Sequence, residues 1–131
     1  MRFTFSKNER LKSKKQIENL FSKGKLLHQF PLQIRYQSVR SEDTYPLKVA
    51  FSVPKRNFKK AVDRNRIKRL LRECYRHQKH KLYESNIEPY NLMILYIGKE
   101  EPEYQKLFND LDTLLSKFIA KTSKINTSES E

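Results

Sequence analysis

The chain has 131 residues, with 28 Lys and Arg against 15 Asp and Glu, for a formal net charge of +13. Hydrophobic residues make up 37%, enough for one modest core, and the longest apolar run, Leu92–Ile97, is far too short to span a bilayer. Two glycines argue against Gly-rich nucleotide loops, and the single cysteine, Cys74, excludes an intrachain disulfide and fits a reducing cytoplasm.

The N-terminus, Met1-Arg2-Phe3-Thr4, lacks the apolar stretch of a secretory signal. Residues 1–12 are basic and non-periodic, which predicts an extended segment whose Phe3 and Phe5 either cover a sheet or stack on a base. Ser13 can cap a helix over residues 14–23, with Ile17, Leu20 and Phe21 at helical spacing and Gly24 as its stop. Phe30–Val39 then alternates. Phe30, Leu32, Ile34 and Tyr36 share one face of a strand, and Gln33 and Arg35 share the other. Leu47–Val53 alternates in the same way, so an antiparallel hairpin is expected across the turn Ser41–Pro46.

Pro54 ends that strand, and the basic loop Lys55–Lys60 leads into a helix predicted over Ala61–Lys79. A loop with Pro89 follows. The wholly apolar Leu92–Ile97 reads as a strand inside the sheet. Pro102 opens a last helix, with Leu107, Leu111, Leu114, Leu115, Phe118 and Ile119 at helical spacing. Residues 122–131 lack a core pattern and are expected to form a disordered polar tail behind a single domain over residues 1–121. The order α-β-β-α-β-α predicts an α+β two-layer sandwich, a small, mostly antiparallel sheet with helices against it and part of one face open.

The charge is not spread evenly. Lys55–Lys81 holds 12 Lys and Arg against 2 Asp and Glu, a net +10 out of +13. Such a concentration repels itself unless a polyanion relieves it. On a helical wheel, Ile67, Leu70, Leu71 and Cys74 fall within about 100° of arc, a normal core stripe. Arg64, Lys68, Arg72 and Arg76, joined by Arg66 and Arg69, occupy the rest, with Asn65 near the middle. Like charges four residues apart destabilise an isolated helix by roughly 0.2–0.5 kcal/mol per pair. Arginine forks and mobile lysines together suit a structured phosphate backbone more than base reading.

The run Arg64-Asn65-Arg66-Ile67-Lys68-Arg69-Leu70-Leu71-Arg72-Glu73, behind the strand and basic turn Val49-Ala50-Phe51-Ser52-Val53-Pro54-Lys55-Arg56-Asn57, resembles the protein subunit of bacterial ribonuclease P. A looser likeness takes in Leu20–Gly24, the strands and the closing helix. The resemblance implies a fold with a left-handed β-α-β crossover around the basic helix. It also implies a role in a ribonucleoprotein that removes the 5′ leader of precursor tRNA, with the chemistry carried by a large RNA that uses magnesium. The protein then holds no catalytic residue or metal of its own. Its partners are that RNA and the precursor tRNA, with no membrane and no small-molecule substrate.

Carried over by position, the RNA-docking set is Lys55, Arg56, Asn57, Lys59, Lys60, Arg64, Asn65, Arg66, Lys68, Arg69 and Arg72. The leader cleft takes Ile17 and Phe21 from the first helix and Gln33 and Arg35 from the strand. The family often has an aromatic residue where Ile17 stands and another near Arg35. Guanidinium stacking or a phosphate contact by Arg35 can substitute.

His77 and His80 could share a metal, but no third ligand lies nearby in sequence, and a solvated helix-end pair is the simpler reading. Cys74 belongs to the core stripe. Tyr36, Tyr45, Tyr90 and Tyr96 read as core or rim residues. The alternative class, a general RNA- or DNA-binding basic module without enzyme association, gives no reason for Asn65 to stand inside the box.

Overall fold

The computed structural model describes residues 9–39, 47–85 and 89–130, with side chains to residue 122. Its elements are α1 (Lys14–Lys23), β1 (Lys25–Gln29), β2 (Leu32–Ser38), β3 (Leu47–Ser52), α2 (Ala61–Arg76), α3 (His80–Glu84), β4 (Tyr90–Tyr96) and α4 (Tyr104–Ser130). Phe3, Phe5, Tyr45 and the turn at 41–46 lie outside the described residues.

Local signals explain several boundaries. Ser13 Oγ accepts the Gln16 N–H at 3.3 Å and starts α1. Gly24 stops it with its N–H on the Leu20 carbonyl at 2.9 Å; a Cβ at Gly24 would lie 2.3 Å from that oxygen. At the other end of the chain, Glu103 accepts an N–H bond from Leu107, and α4 begins at Tyr104, two residues after the predicted start at Pro102.

The four strands lie in the order β1-β2-β4-β3. β1 pairs antiparallel with β2, β2 antiparallel with β4, and β3 parallel with β4. The expected hairpin between Phe30–Val39 and Leu47–Val53 is therefore not formed. Alternation reports which face of a strand is buried and is silent about its neighbour. β4, buried on both faces, takes the central place, and the parallel β3–β4 pair is joined by the crossover through α2 and α3. The hairpin that does form is β1–β2, turning at Phe30 and Pro31. Phe30 is thus moved off the core face and is 72% exposed.

α2 and α4 cover one face of the sheet. The main core holds Leu32, Ile34, Tyr36, Leu47, Val49, Leu92, Ile94 and Tyr96 from the strands, Ile67, Leu71, Cys74 and Tyr75 from α2, and Leu107, Leu111, Leu114, Leu115 and Phe118 from α4. A smaller cluster of Leu11, Leu20, Met93 and Leu95, with Ile17 packed on it, seats α1 on the opposite face and leaves part of that face open. α2 ends at Arg76, three residues before the expected Lys79, because residues 77–79 turn into α3. Past the expected boundary at residue 121, Thr122 is buried and its hydroxyl bonds the Phe118 carbonyl at 3.0 Å. The helical backbone runs on to Ser130. Residues 122–130 contain no Gly or Pro to stop it, and polarity argues against packing more than against helix.

The first described residues are tied to elements far along the chain. Leu11 N–H bonds the Val49 carbonyl at 3.0 Å, so residues 10 and 11 shield the β3 edge. Just before them, Glu9 accepts Lys79 Nζ at 2.9 and 2.7 Å and the Tyr83 hydroxyl at 3.1 Å. Both charged side chains are 5% exposed.

Candidate nucleic-acid interface

The basic loop is held from both ends. Asn57 N–H bonds the Pro54 carbonyl at 3.2 Å, and its side-chain amide donates to the Ile97 carbonyl at 3.2 Å, pinning the loop to the end of β4. Phe58 lies against Tyr96 with ring centroids 6.1 Å apart. Arg64 Nη1 donates to the carbonyls of Phe58 and Lys59, both at 2.8 Å. Asn57 and Arg64, both carried over as RNA contacts, here shape the loop. Their work leaves Lys55, Arg56, Lys59 and Lys60 exposed.

The wheel of α2 is as read. Ile67, Leu71 and Cys74 are buried, joined by Tyr75, and Leu70 is half-buried. Asn65, Arg66, Arg69 and Arg72 face solvent, with Lys68 at the margin. Charge is concentrated on this face, yet not all of it is available. Of the 12 cations in Lys55–Lys81, five are occupied. Arg64 holds loop carbonyls. Arg66 is paired with Asp63 at 2.5 Å and Glu101 at 3.0 Å, and Arg76 with Glu73 at 2.7 Å. Lys79 is paired with Glu9 and Lys81 with Asp112. The other seven, Lys55, Arg56, Lys59, Lys60, Lys68, Arg69 and Arg72, have no hydrogen bond or ion pair with the described residues. Spacing along α2 can suggest the pairs Asp63–Arg66 and Glu73–Arg76, but not Glu101–Arg66, Glu9–Lys79 or Asp112–Lys81, whose partners sit on other elements.

Beside the loop opens a groove of about 1020 Å³. Phe21, Gln33 and Arg35 line one side of it, and Lys55, Arg56 and Asn57 the other; Ser52, Pro54, Leu95, Ile97 and Lys99 complete the lining. Three of the four expected cleft residues are thus brought together. Ile17 is not among them, because it packs into the small cluster beneath α1. Phe21 is 44% exposed, a large apolar ring left open to solvent. The Arg35 guanidinium carbon lies 5.0 Å from its ring centroid, and Nη1 donates to the Phe21 carbonyl at 3.3 Å. Arg35 Nε is shielded from solvent and has no partner among the described residues. Gln33 Nε2 sits 3.1 Å from His28 Nδ1. Leu95 and Ile97 were missed; their signal is that a central strand presents alternate residues to its second face.

The remaining candidates are structural. Cys74 is fully buried, and burial, helped by the Glu73 carboxylate, pushes its thiol up to about 12, so it is a packing residue. His77 lies 3.6 Å from Glu73, whose pKa is lowered chiefly by its hydrogen bond from Arg76. Tyr36 and Tyr96 are buried and Tyr90 is half-buried. Among the described residues no three His, Cys, Asp or Glu side chains group into a metal site, and no described helix is long and apolar enough to cross a membrane.

The ribonuclease P family model matches residues 5–119. The chain belongs to the ribonuclease P protein family. A ribonuclease P protein component of Porphyromonas gingivalis is 40% identical over 80 residues, covering 61% of this chain and 58% of the relative. That of Chlorobium phaeobacteroides is 33% identical over 122 residues, covering 83% of this chain and 84% of the relative. The RNase P proteins of Staphylococcus aureus and Thermotoga maritima share the fold, with TM-scores of 0.65 and 0.66 at 23% and 21% identity. They cover 87% and 83% of this chain, and in each case 96% of the solved one. In this ribonuclease P protein the basic run Arg64–Arg72 stands on α2, and Lys55, Arg56 and Asn57 of the preceding loop line an open groove.

Proposed function

We propose that this chain is the protein subunit of a ribonuclease P ribonucleoprotein. It docks its basic helix and loop on a large catalytic RNA and receives the 5′ leader of precursor tRNA in the groove. The observation that carries this reading is continuity. The groove that holds the open Phe21–Arg35 pair is lined on its far side by Lys55 and Arg56 of the basic loop. An exposed aromatic ring beside cations is what a single strand needs: stacking for its bases, without sequence preference, and charge for its backbone. The exposed face of α2, with Lys68, Arg69 and Arg72 uncommitted, suits the folded backbone of a larger RNA.

In this reading the protein positions and the RNA does the chemistry. Magnesium would be held by the RNA and substrate, as the resemblance to the family implies. The chain's part is electrostatic: its seven uncommitted cations replace diffuse counterions along RNA phosphates and release them to solvent. Leader contacts in the groove favour precursor over mature tRNA, because the mature product has no leader to offer.

Purification of the tagged chain from its own cells, followed by sequencing of bound RNA, is the direct test. One dominant, structured RNA that removes leaders from precursor tRNA, and needs less magnesium when the chain is added, is expected. A broad mixture of RNAs with no cleavage activity would replace this reading with that of a general RNA-binding module.

A further inference from the structure

The open ring of Phe21 is held from behind. Phe21 stands in the last turn of α1, where the final carbonyls of a helix lack an intrahelical N–H. Arg35 supplies one from β2. Its Nη1 donates to the Phe21 carbonyl at 3.3 Å, which also sets a cation at the negative end of the helix. The same guanidinium lies over the Phe21 ring, 5.0 Å from the centroid. A bidentate grip on phosphate needs two N–H groups on one edge of the guanidinium fork. In Arg35, Nε is shielded from solvent and Nη1 is already in use, so every edge of the fork includes an atom that a phosphate cannot readily take. The ring, by contrast, keeps 44% of its residue's surface exposed and lines the groove.

We infer that Arg35 is a positioning residue for Phe21 and not a ligand for leader phosphate. It closes the end of α1 and covers one face of the ring, so that Phe21 meets the leader as a fixed platform with one open face, for one base. The ring is ordered before RNA arrives, and less of the stacking energy is lost in fixing the side chain. The phosphates beside that base are left to Lys55 and Arg56, across the groove. This inference deepens the proposal that the groove receives the leader, and rests on it.

The test uses the holoenzyme reassembled with the RNA that co-purifies with the chain, and measures affinity for precursor and mature tRNA over a range of salt. Arg35→Ala should weaken precursor binding about two- to five-fold, the range of an exposed cation–π contact, and leave mature tRNA unchanged. The precursor's slope of log affinity against log salt should stay as it was, whereas Arg56→Ala should lower it by about 0.7, one contact to a single strand. Arg35→Met is neutral but long enough to lie on the ring, and should lose less than Arg35→Ala. In a Phe21→Ala background Arg35→Ala should cost nothing further, because the two side chains act as one unit. The inference is overturned if Arg35→Ala and Arg35→Met both lower the slope by about 0.7, or if the loss persists in full without Phe21, since Arg35 is then a direct leader contact. An equal loss for precursor and mature tRNA would mean that Arg35 only seats α1, and overturns it too. So does an unchanged affinity in Arg35→Ala where Phe21→Ala selectively weakens precursor. If neither Phe21→Ala nor Arg56→Ala separates precursor from mature tRNA, the leader proposal itself fails.

Discussion

Replacing the Glu9 carboxylate with an amide should loosen the N-terminal segment and cost much of the fold's stability. The Lys79 ammonium is 5% exposed, and Glu9 gives it both carboxylate oxygens, at 2.9 and 2.7 Å. Glu9→Gln keeps the volume and can still accept from the Tyr83 hydroxyl, so the loss is one of charge, not packing. Removing one partner of a buried pair typically costs about 3–5 kcal/mol, because the other charge stays buried without compensation. Set against the roughly 5–15 kcal/mol that holds a domain together, this is a large fraction. Urea unfolding followed by circular dichroism measures it directly. The double variant Glu9→Gln/Lys79→Met should recover most of the loss, since an apolar replacement of both ends is often near neutral. A loss under about 1 kcal/mol for Glu9→Gln would show that the pair is solvated and that the segment is not fastened there.

Three other outcomes follow from the same geometry. Arg72→Ala should lower the slope of log affinity against log salt by about 0.7–0.9, whereas Arg76→Ala, whose guanidinium is committed to Glu73, should leave it unchanged; filter binding at several salt concentrations separates the two. Phe21→Ala should weaken precursor tRNA more than mature tRNA, by roughly the 1–3 kcal/mol of one stacked base, and an equal loss for both would return Phe21 to the packing residues. Cys74 should resist thiol reagents in the folded protein at neutral pH and react only as the chain unfolds. Its folded pKa is raised from an ordinary 9.0 to about 12, so its contribution to stability is fully present below pH 9 and is lost as pH rises through about 12. A urea midpoint falling over that window in the parent, and less so in Cys74→Ala, checks the sign.

Sequence periodicity read much of this fold correctly and failed in a consistent way. α1 was legible end to end because a serine cap and a glycine stop bracket one apolar stripe. The core face of β2 and the stripe of α2 were equally plain. β1 was missed because Lys25–Gln29 mixes polar and apolar residues without alternating, and it forms only because β2 offers it an edge. The partner of β3 was misassigned for a related reason: pairing depends on which edge is nearest in space, and adjacency in the chain favoured the wrong one. In the site, the family resemblance, not periodicity, implies one cleft for Phe21 and Arg35, 14 residues apart, and the structure places the guanidinium over the ring. Ile17, one turn before Phe21, went to the core instead, since α1 must bury something against Met93 and Leu95.

The sequence by itself determined that the chain carries a dense cationic helix with one oily side, that its cysteine is a core residue, and that its box belongs to one family. These are local properties, set by residue type and spacing along a single element. Only the tertiary structure decided which cations are left for RNA. Glu9 reaches Lys79 across 70 residues, Asp112 reaches Lys81 across 31, and Glu101 reaches Arg66 from another element. A charge is neutralised by whatever lies within a few ångströms of it, and that distance is fixed by the fold, not by the order of residues.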